Sequence, residues 1–499
     1  MHRPSWYNIL IAMAATMGSL TYGYTNAILG DTLTKASFFE YMKLDPEGPG
    51  AKHVQTIETI WNGMVYTGGT IAMWASPVIA DKFGRLALMR FGGIIGVIGA
   101  ALQAGSVSTS MLIVARLISG AAMGICAGTV PTYQAEIAPP MNRGLIVGLH
   151  ASMIGFGNVI AAWVGVAFWS VNSQVGWRFP FGLQGLFPLL LFVLTFVLPE
   201  SPRWLCMYDR TEEAEKVLIK LHKRKDDPND EFAHREMHII AEQIAYEKRT
   251  KLPIHQALGQ RSLQKRFAIG WLAVWCTQCS GVIVVLAYQS TIYQGLGFSP
   301  FMSAILGGVW CIMNFIGNFT GGILGDFIGR SRQLVIGLGV NILLLTGLCV
   351  CTKIDNKPAQ TGGAVFTLLV AFIYAAFLEC PALVYSSELF PGEWRAFGVS
   401  TSISISFIGQ LIFTVAAPTA LQSIGAYFYV VFIGLTALQF VIAILVFPNT
   451  KGFTLEQMSA VFGDVVVDMD GNAEDPSDFL KENHEADTLR LENAGAVKA

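Results

Sequence analysis

The chain has 499 residues, of which 53% are hydrophobic and 14% are charged, and its formal net charge is −2. Soluble domains carry about 25% charged residues, so this composition excludes an ordinary soluble protein. A charge so close to zero gives no electrostatic footprint for binding nucleic acid. The class that remains is a membrane protein.

In chain order, the apolar residues form blocks of roughly 20 residues, long enough for a helix to cross about 30 Å of hydrocarbon. The first block lacks a clear small-residue cleavage site and continues through Gly30, which predicts an uncleaved span rather than a signal peptide. The blocks predict an all-α membrane protein with twelve spanning helices. The predicted spans are 8–29, 57–80, 87–107, 110–133, 145–169, 178–198, 267–290, 300–325, 332–352, 362–386, 397–420 and 424–447.

Two segments of the chain are polar instead. Residues 206–266 hold thirteen Lys or Arg and eleven Asp or Glu, with helical periodicity, and predict a cytoplasmic helical linker. Residues 464–499 hold ten acidic and three basic residues without a core-forming pattern, which predicts disorder. The predicted domains are therefore an N-terminal bundle over 1–205, the linker over 206–266, a C-terminal bundle over 267–457 and a disordered acidic tail over 458–499.

Three charged motifs occur twice, in the same order, at offsets of 245, 252 and 249 residues (326 − 81, 388 − 136 and 448 − 199). Such repeats indicate a duplicated half, and paired halves are typical of transporters that rock about a central site. The copies are Asp81-Lys82-Phe83-Gly84-Arg85 and Asp326-Phe327-Ile328-Gly329-Arg330, Glu136 with Arg143 and Glu388 with Arg395, and Pro199-Glu200-Ser201-Pro202-Arg203 with the weaker Pro448-Asn449-Thr450-Lys451-Gly452.

The repeated charges lie in short even-numbered loops, and the positive-inside bias places those loops and both termini in the cytoplasm. Anchoring to headgroups alone requires only cations, so Glu136 and Glu388 favour an ion-pair latch between the two halves over simple anchoring. Exposed pairs contribute only about 0–1 kcal/mol each, which suits a latch that must open. The predicted gating network consists of Asp81, Arg85, Glu136, Arg143, Glu200, Arg203, Asp326, Arg330, Glu388 and Arg395.

These motifs resemble the sugar porter family of the major facilitator superfamily, from about Leu20 to Gln457. The resemblance is greatest to a branch common in filamentous fungi. It implies twelve helices in two six-helix bundles, alternating-access transport of a sugar-like solute, action as a monomer, and no cofactor. The strings that carry it are Arg116-x-x-x-Gly120-x-x-x-Gly124, Pro131-Thr-Tyr133-Gln-Ala-Glu136, Trp177-Arg178, Pro199-Glu200-Ser201-Pro202-Arg203-Trp204-Leu205, Ser387-Glu388-Leu389-Phe390-Pro391 and Lys451-Gly452-x-Thr454-Leu455-Glu456.

The first span departs from the family at its proton-coupling position. The resemblance places an aspartate where this chain has Thr25, whose hydroxyl does not titrate at physiological pH. The partner of that aspartate in the family corresponds to Arg116. Facilitators of the family carry a neutral residue at this position, so a facilitator is one prediction. Coupling through Glu379, an acid at lipid depth in the tenth span, is the other.

The resemblance also places the solute site in the central cavity. Gln278, Asn314 and Gln184 are its first candidates, followed by His150, Tyr288, Thr25 and Gln410. Four polar or aromatic ligands of the family are replaced, by Ala151, Thr277, Ile283 and Leu383. A more apolar cavity favours a less hydroxylated solute, such as a quinate-like acid or a secondary metabolite, unless other side chains supply the missing hydrogen bonds.

The sequence also bears on classes of function other than transport of a sugar-like solute into the cell. The chain shows no nucleophile–base set, phosphate loop or metal cluster, so neither an enzyme nor a bound metal is expected. A metabolite exporter and a transport-inactive nutrient sensor are the rival predictions, although the short tail argues against a sensor. The plasma membrane is the default location.

Overall fold

The computed structural model describes residues 5–45, 50–139, 143–223, 227, 229–250, 259–354, 356–390, 392–448, 462, 466–467 and 473–474. Ten helical segments in this part of the chain are long and apolar enough to cross a membrane. Helices over Trp6–Thr32 and Ala51–Phe83 occupy the places of the first two predicted spans. Spans 3 to 12 are Arg85–Ala104, Thr109–Ile137, Arg143–Ala167, Val175–Leu194, Arg261–Gly295, Pro300–Ile328, Arg330–Cys351, Lys357–Leu389, Gly392–Ile424 and Phe428–Val446.

Several spans are interrupted where a side chain or a glycine disturbs the helical ladder. The first span consists of Trp6–Ala15 and Met17–Thr32, and between them the Thr16 hydroxyl donates to the Met13 carbonyl at 2.6 Å. Gly281, with φ +73°, separates Arg261–Cys279 from Val282–Gly295 in the seventh span. The sixth span breaks between Val175–Leu183 and Leu186–Leu194, and the tenth contains a π-helical turn over Tyr374–Glu379, between Lys357–Ile373 and Cys380–Leu389.

The helix packing repeats between the halves. In the N-terminal half the first span packs on the fifth, the second on the fourth and the third on the sixth, and the same pairs recur six spans later. The two largest contacts between the halves are those of the second span with the eleventh and of the fifth with the eighth. An approximate twofold operation exchanges these two contacts, which is the arrangement that a duplicated bundle predicts.

Small residues allow the second and fourth spans to approach closely. A Cβ added at Gly120 or Gly124 would overlap the backbone of Val65 or Gly69. In the other half, a Cβ at Gly317 would lie 2.7 Å from a carbonyl oxygen of the tenth span. Small residues are what membrane helices use to bring backbones together, which gives the motif of Gly120 and Gly124 a packing role.

The outer surface of the spans is apolar. Large side chains such as Phe91, Leu343 and Leu445 are 52%, 70% and 77% exposed although they lie in spanning helices. Apolar surface on this scale is stable only against lipid or a partner.

The two halves also touch at both ends. At the end that carries the charged repeats, called here the motif face, the rings of Trp74 and Phe397 lie 6.3 Å apart. Towards the opposite face, those of Trp169 and Phe301 lie 5.9 Å apart. The two halves thus contact each other near both faces.

Outside the spans, short helices run over Ala36–Tyr41, Pro202–Met207, Thr211–His222 and Glu231–Thr250, and a 3₁₀ turn over Gly425–Tyr427. The two linker helices lie within the predicted 206–266 segment. Most of the predicted tail lies outside the described residues. Its described part includes two antiparallel strands, Val466–Val467 and Ala473–Glu474.

Candidate functional site

Glycine forms the tight elbow between the second and third spans. Gly84 has φ +96° and Gly329, its repeat between the eighth and ninth spans, has φ +91°. L-residues with side chains rarely adopt this region, so the repeated motif needs glycine here for its backbone. Each elbow places the following arginine, Arg85 or Arg330, at the first position of the next span.

Arg85 makes a bidentate ion pair with Glu136 of the fourth span. Its Nε and Nη2 each donate to a Glu136 carboxylate oxygen at 2.9 Å. Nη1 donates to the Ala80 carbonyl at 3.2 Å and lies 3.2 Å from the Asp81 carboxylate. The Arg85 side chain is only 3% exposed, so these acceptors satisfy a charge that is almost fully buried.

Arg330 repeats this arrangement in the other half. Its Nε lies 3.2 Å from Glu388 of the tenth span, and Nη1 donates to the Gly325 carbonyl at 3.1 Å. A small cavity lies beside each arginine, at equivalent positions of the two halves. Both pairs join helices of one half. Each elbow turns its arginine towards its own bundle, so these two pairs lie within the halves, and a latch between the halves stays a prediction.

Glu200 acts as a cap for the third span. Its carboxylate accepts from the backbone N–H of Arg85 at 3.2 Å and of Leu86 at 3.3 Å, at the positive end of the helix dipole. Burial raises the pKa of Glu200, and the backbone donors oppose that shift. The Ser201 hydroxyl caps the short helix that follows. The Trp204 indole donates to the last turn of the second span at 3.0 Å.

A tyrosine hydrogen bond also recurs in both halves. The Tyr133 hydroxyl donates to the Pro199 carbonyl at 2.6 Å, and the Tyr385 hydroxyl donates to the Pro448 carbonyl at 3.0 Å. Tyr133 and Tyr385 lie one helical turn before Glu136 and Glu388. The fourth and tenth spans therefore each make two such contacts, one through the tyrosine hydroxyl and one, a helical turn later, through the glutamate.

The structure gives fewer details for the four other predicted members of the gating network. Arg203 is partly buried on the helix that follows Glu200, and Arg395 is partly buried near the start of the eleventh span. The side chains of Arg143 and Asp326 lie outside the described part of the structure.

Polar side chains from both halves meet midway along the spans. The Tyr22 ring of the first span lies 5.6 Å from that of Phe407 of the eleventh, with Gln410 beside its hydroxyl. The Tyr374 hydroxyl of the tenth span faces Thr277 and Gln278 of the seventh. The group is called here the central polar cluster, and it consists of Tyr22, Thr277, Gln278, Asn314, Tyr374, Glu379 and Gln410.

Glu379 is the one acid of this cluster. Its carboxylate accepts from Asn318 Nδ2 at 3.0 Å and from Asn314 Nδ2 at 3.5 Å, and it lies within electrostatic reach of Tyr22 and Tyr374. The structure therefore brings Gln278, Asn314 and Gln410 together with the acid that the sequence singled out.

The predicted first-span site is arranged differently. The Thr25 hydroxyl is buried and has no hydrogen-bond partner among the described residues. Its carbonyl accepts from Arg116 Nη1 at 3.3 Å, and Arg116 Nε donates to the Trp61 carbonyl at 3.2 Å. Arg116, which the family resemblance pairs with an aspartate, therefore donates to backbone carbonyl oxygens instead.

Three other predicted solute ligands are bonded outside the cluster. The Tyr288 hydroxyl donates to the Thr414 carbonyl at 3.1 Å. His150 Nδ1 lies 2.8 Å from the Ser19 hydroxyl, and Gln184 Oε1 accepts from Gln103 at 3.2 Å. His150 and Gln184 thus have partners within the N-terminal half.

Sequence reasoning missed four residues, namely Tyr22, Tyr66, Tyr374 and Asn318. Tyrosine does not interrupt an apolar block, so these positions look like ordinary core. The signal available for Tyr22 was its spacing from Asn26, four residues on and therefore on the same helix face. The structure confirms that face, because the Tyr66 hydroxyl donates to Asn26 at 2.9 Å.

Two repeated halves of membrane-spanning helices that meet at a central polar cluster define a multi-pass membrane transporter of the major facilitator type. The family model "Sugar (and other) transporter" matches residues 11–462. The chain belongs to this family, and it is a transporter rather than an enzyme.

Individual relatives agree over most of the chain. The MFS-type transporter criB of Aspergillus cristatus is 29% identical, over 90% of this chain and 92% of that protein. The glucose transporter GlcP of Staphylococcus epidermidis is 30% identical, over 90% and 96%. The proton:xylose symporter XylE bound to 6-bromo-6-deoxy-D-glucose has a TM-score of 0.77 at 21% identity, covering 91% of this chain and 99% of XylE. At that identity the likeness shows the fold alone.

Proposed function

We propose that the chain moves a small sugar-like solute across the membrane by alternating access, with the central polar cluster as the solute site. The observation that carries this proposal is the contact of Tyr22 of one half with the eleventh span of the other, where its ring lies 5.6 Å from that of Phe407 and its hydroxyl is beside Gln410. A solute bound there would touch both halves at once. Rocking of one half against the other would then expose it first to one side and then to the other.

The chemistry of the cluster suits hydroxyl groups. Amides and phenols both donate and accept hydrogen bonds, as a sugar hydroxyl requires. Gln410 Oε1 is buried without a partner in the described region, which leaves an acceptor for a solute hydroxyl. Glucose is the solute in the name of GlcP and xylose in that of XylE. Ala151 and Ile283 are buried and apolar, which supports a solute with fewer hydroxyls, such as a quinate-like acid, as the second candidate.

The ion pairs of the motif face supply the gate in this proposal. Each pair fixes the end of one half as a rigid unit. Contacts such as that between Trp74 and Phe397 then form or break as the halves rock. The motif face is the cytoplasmic side, so both termini are cytoplasmic. The transporter acts as a monomer in the plasma membrane.

Uptake in yeast that lacks its own hexose carriers tests the proposal. Cells that express the chain are given radiolabelled glucose, xylose or quinate, and counterflow from preloaded vesicles covers the case of an exporter. We expect flux of at least one solute above the empty-vector control. A well-expressed protein that carries none of them in either direction would contradict the proposal and favour a sensor.

Two variants in the central polar cluster, compared with one surface control variant, test where the solute binds. Gln278→Ala and Asn314→Ala each remove hydrogen bonds from the solute, and a net contribution of about 1 kcal/mol predicts a roughly fivefold weaker apparent affinity. Ser423→Ala removes an exposed hydroxyl whose partner is the Thr419 carbonyl, and it should change nothing. Equal kinetics in all three variants would place the solute elsewhere.

A further inference from the structure

Glu379 lies within a spanning helix and has only neutral hydrogen-bond donors. Asn318 and Asn314 both donate to the same oxygen, Oε2, at 3.0 and 3.5 Å. Asn314 and Asn318 are 4% and 1% exposed, whereas Glu379 keeps some accessible surface.

No cation offsets this carboxyl among the residues that the structure describes. The eighth span contributes Asn314 and Asn318, and the seventh contributes Thr277 and Gln278, all of them uncharged. The titratable groups that face it are the phenols of Tyr22 on the first span and Tyr374 on its own turn. An unpaired charge at this depth is costly.

A buried cation lies in the opposite half. Arg116 is 1% exposed and donates to backbone carbonyls, with no ion pair to a described carboxylate. Tyr22 is within electrostatic reach of both Glu379 and Tyr66, and Tyr66 is within reach of Arg116. Phenols thus line the route between an acid in one half and an arginine in the other. Rocking of the halves would change the distance between Arg116 and Glu379.

The backbone at Glu379 is suited to a change of state. The residue ends the π-helical turn Tyr374–Glu379, and such turns occur often at functional sites. Each helical residue advances the side-chain direction by about 100°, so a shift of the turn by one position would rotate Glu379 relative to Asn314.

We propose that Glu379 is the proton-binding group that couples solute movement to the proton gradient, a role that the neutral Thr25 leaves vacant. A proton from the outer side binds to a Glu379 carboxylate oxygen. The neutral acid then accepts weakly from Asn314, which frees that amide for a solute hydroxyl. After the halves rock, the same proton leaves to the inner side. One positive charge therefore crosses with each neutral solute. This inference rests on the proposed function, because it requires a transported solute.

The test compares wild type with Glu379→Gln in proteoliposomes, using radiolabelled glucose, xylose and quinate. With one proton per solute, a gradient of one pH unit drives about tenfold accumulation of a neutral solute in wild type. A protonophore should remove that accumulation. Glu379→Gln, which mimics the neutral acid, should keep counterflow but show no accumulation. Glu379→Asp should restore part of it, and Glu58→Gln, a partly buried acid outside the cluster, should behave as wild type.

Three results are decisive. Counterflow without accumulation in Glu379→Gln supports the inference. Wild-type flux that ignores the protonophore, with Glu379→Gln unchanged, overturns it and leaves a facilitator with the proposed function intact. Flux of none of the solutes overturns the proposed function itself.

A second measurement does not depend on the solute. Infrared difference spectra of the purified protein between about pH 5 and about pH 8 should contain the carbonyl band of a protonated carboxyl that is missing in Glu379→Gln. Identical spectra of wild type and Glu379→Gln would overturn the inference.

Discussion

Removing one carboxylate of the motif face should weaken the two halves unequally. Glu136 holds Arg85 through two hydrogen bonds of 2.9 Å, with side chains 10% and 3% exposed. Loss of one partner of a buried pair costs about 3–5 kcal/mol. Asp81 remains 3.2 Å from Arg85 and is half exposed, so it offsets part of that loss. We expect Glu136→Gln to cost about 2–3 kcal/mol.

The matched variant is Glu388→Gln. Glu388 and Arg330 are 25% and 16% exposed and lie 3.2 Å apart, so solvent screens their pair more strongly. The expected cost is at most about 1 kcal/mol. The two variants remove the same group from equivalent positions and therefore control for each other.

Hydrogen–deuterium exchange measures this difference locally. At about 1.4 kcal/mol per factor of ten, Glu136→Gln should accelerate exchange at the end of the fourth span by roughly 30- to 150-fold, and Glu388→Gln at the end of the tenth by about fivefold or less. The Ala36–Tyr41 helix at the opposite face is the internal control. Equal acceleration in the two variants, or a larger effect in Glu388→Gln, would refute the reasoning.

Three further changes test individual contacts. Gly84→Ala places a side chain at φ +96° with its Cβ 2.6 Å from a carboxylate oxygen, and should cost about 1–3 kcal/mol in thermal unfolding, whereas Gly50→Ala, with nothing within 4 Å, should be neutral. A Gly84→Ala protein as stable as Gly50→Ala would disprove the elbow argument. Tyr133→Phe removes the 2.6 Å bond to Pro199 and should cost about 1 kcal/mol in the same assay; no loss would mean that the bond is dispensable. Trp204→Phe removes the indole donor to the second span and should speed exchange at the end of that span, and unchanged exchange there would argue against it.

The span count and the duplicated charges could be read from the sequence because both depend on composition. Arg85 and Arg330 were expected to be equivalent, and each is paired with the acid of its own repeat. The sequence could not predict that these pairs form within each half, since spacing along a chain does not say which bundle an elbow faces.

The cavity was harder to predict than the fold. The sequence looks the same whether a polar residue of an apolar helix faces a cavity or a neighbouring helix. Packing, which the sequence does not show directly, sets the rotation of a helix about its own axis. Gln278 lies in the central cluster, while Gln184 bonds to Gln103 within its own half. The break at Thr16 and the π-helical turn also escaped prediction, because hydropathy averages over such local backbone changes.

The central claim, that the halves rock about the cluster, is tested most directly by locking the motif face. A Cβ at Gly128 would lie 3.3 Å from the Ser400 hydroxyl oxygen of the opposite half, close enough for a disulfide between Gly128→Cys and Ser400→Cys. We expect the oxidised double variant to lose uptake of its solute and to recover it in reductant, while each single variant is unaffected by oxidation. Full uptake by a quantitatively cross-linked protein would contradict alternating access through this interface.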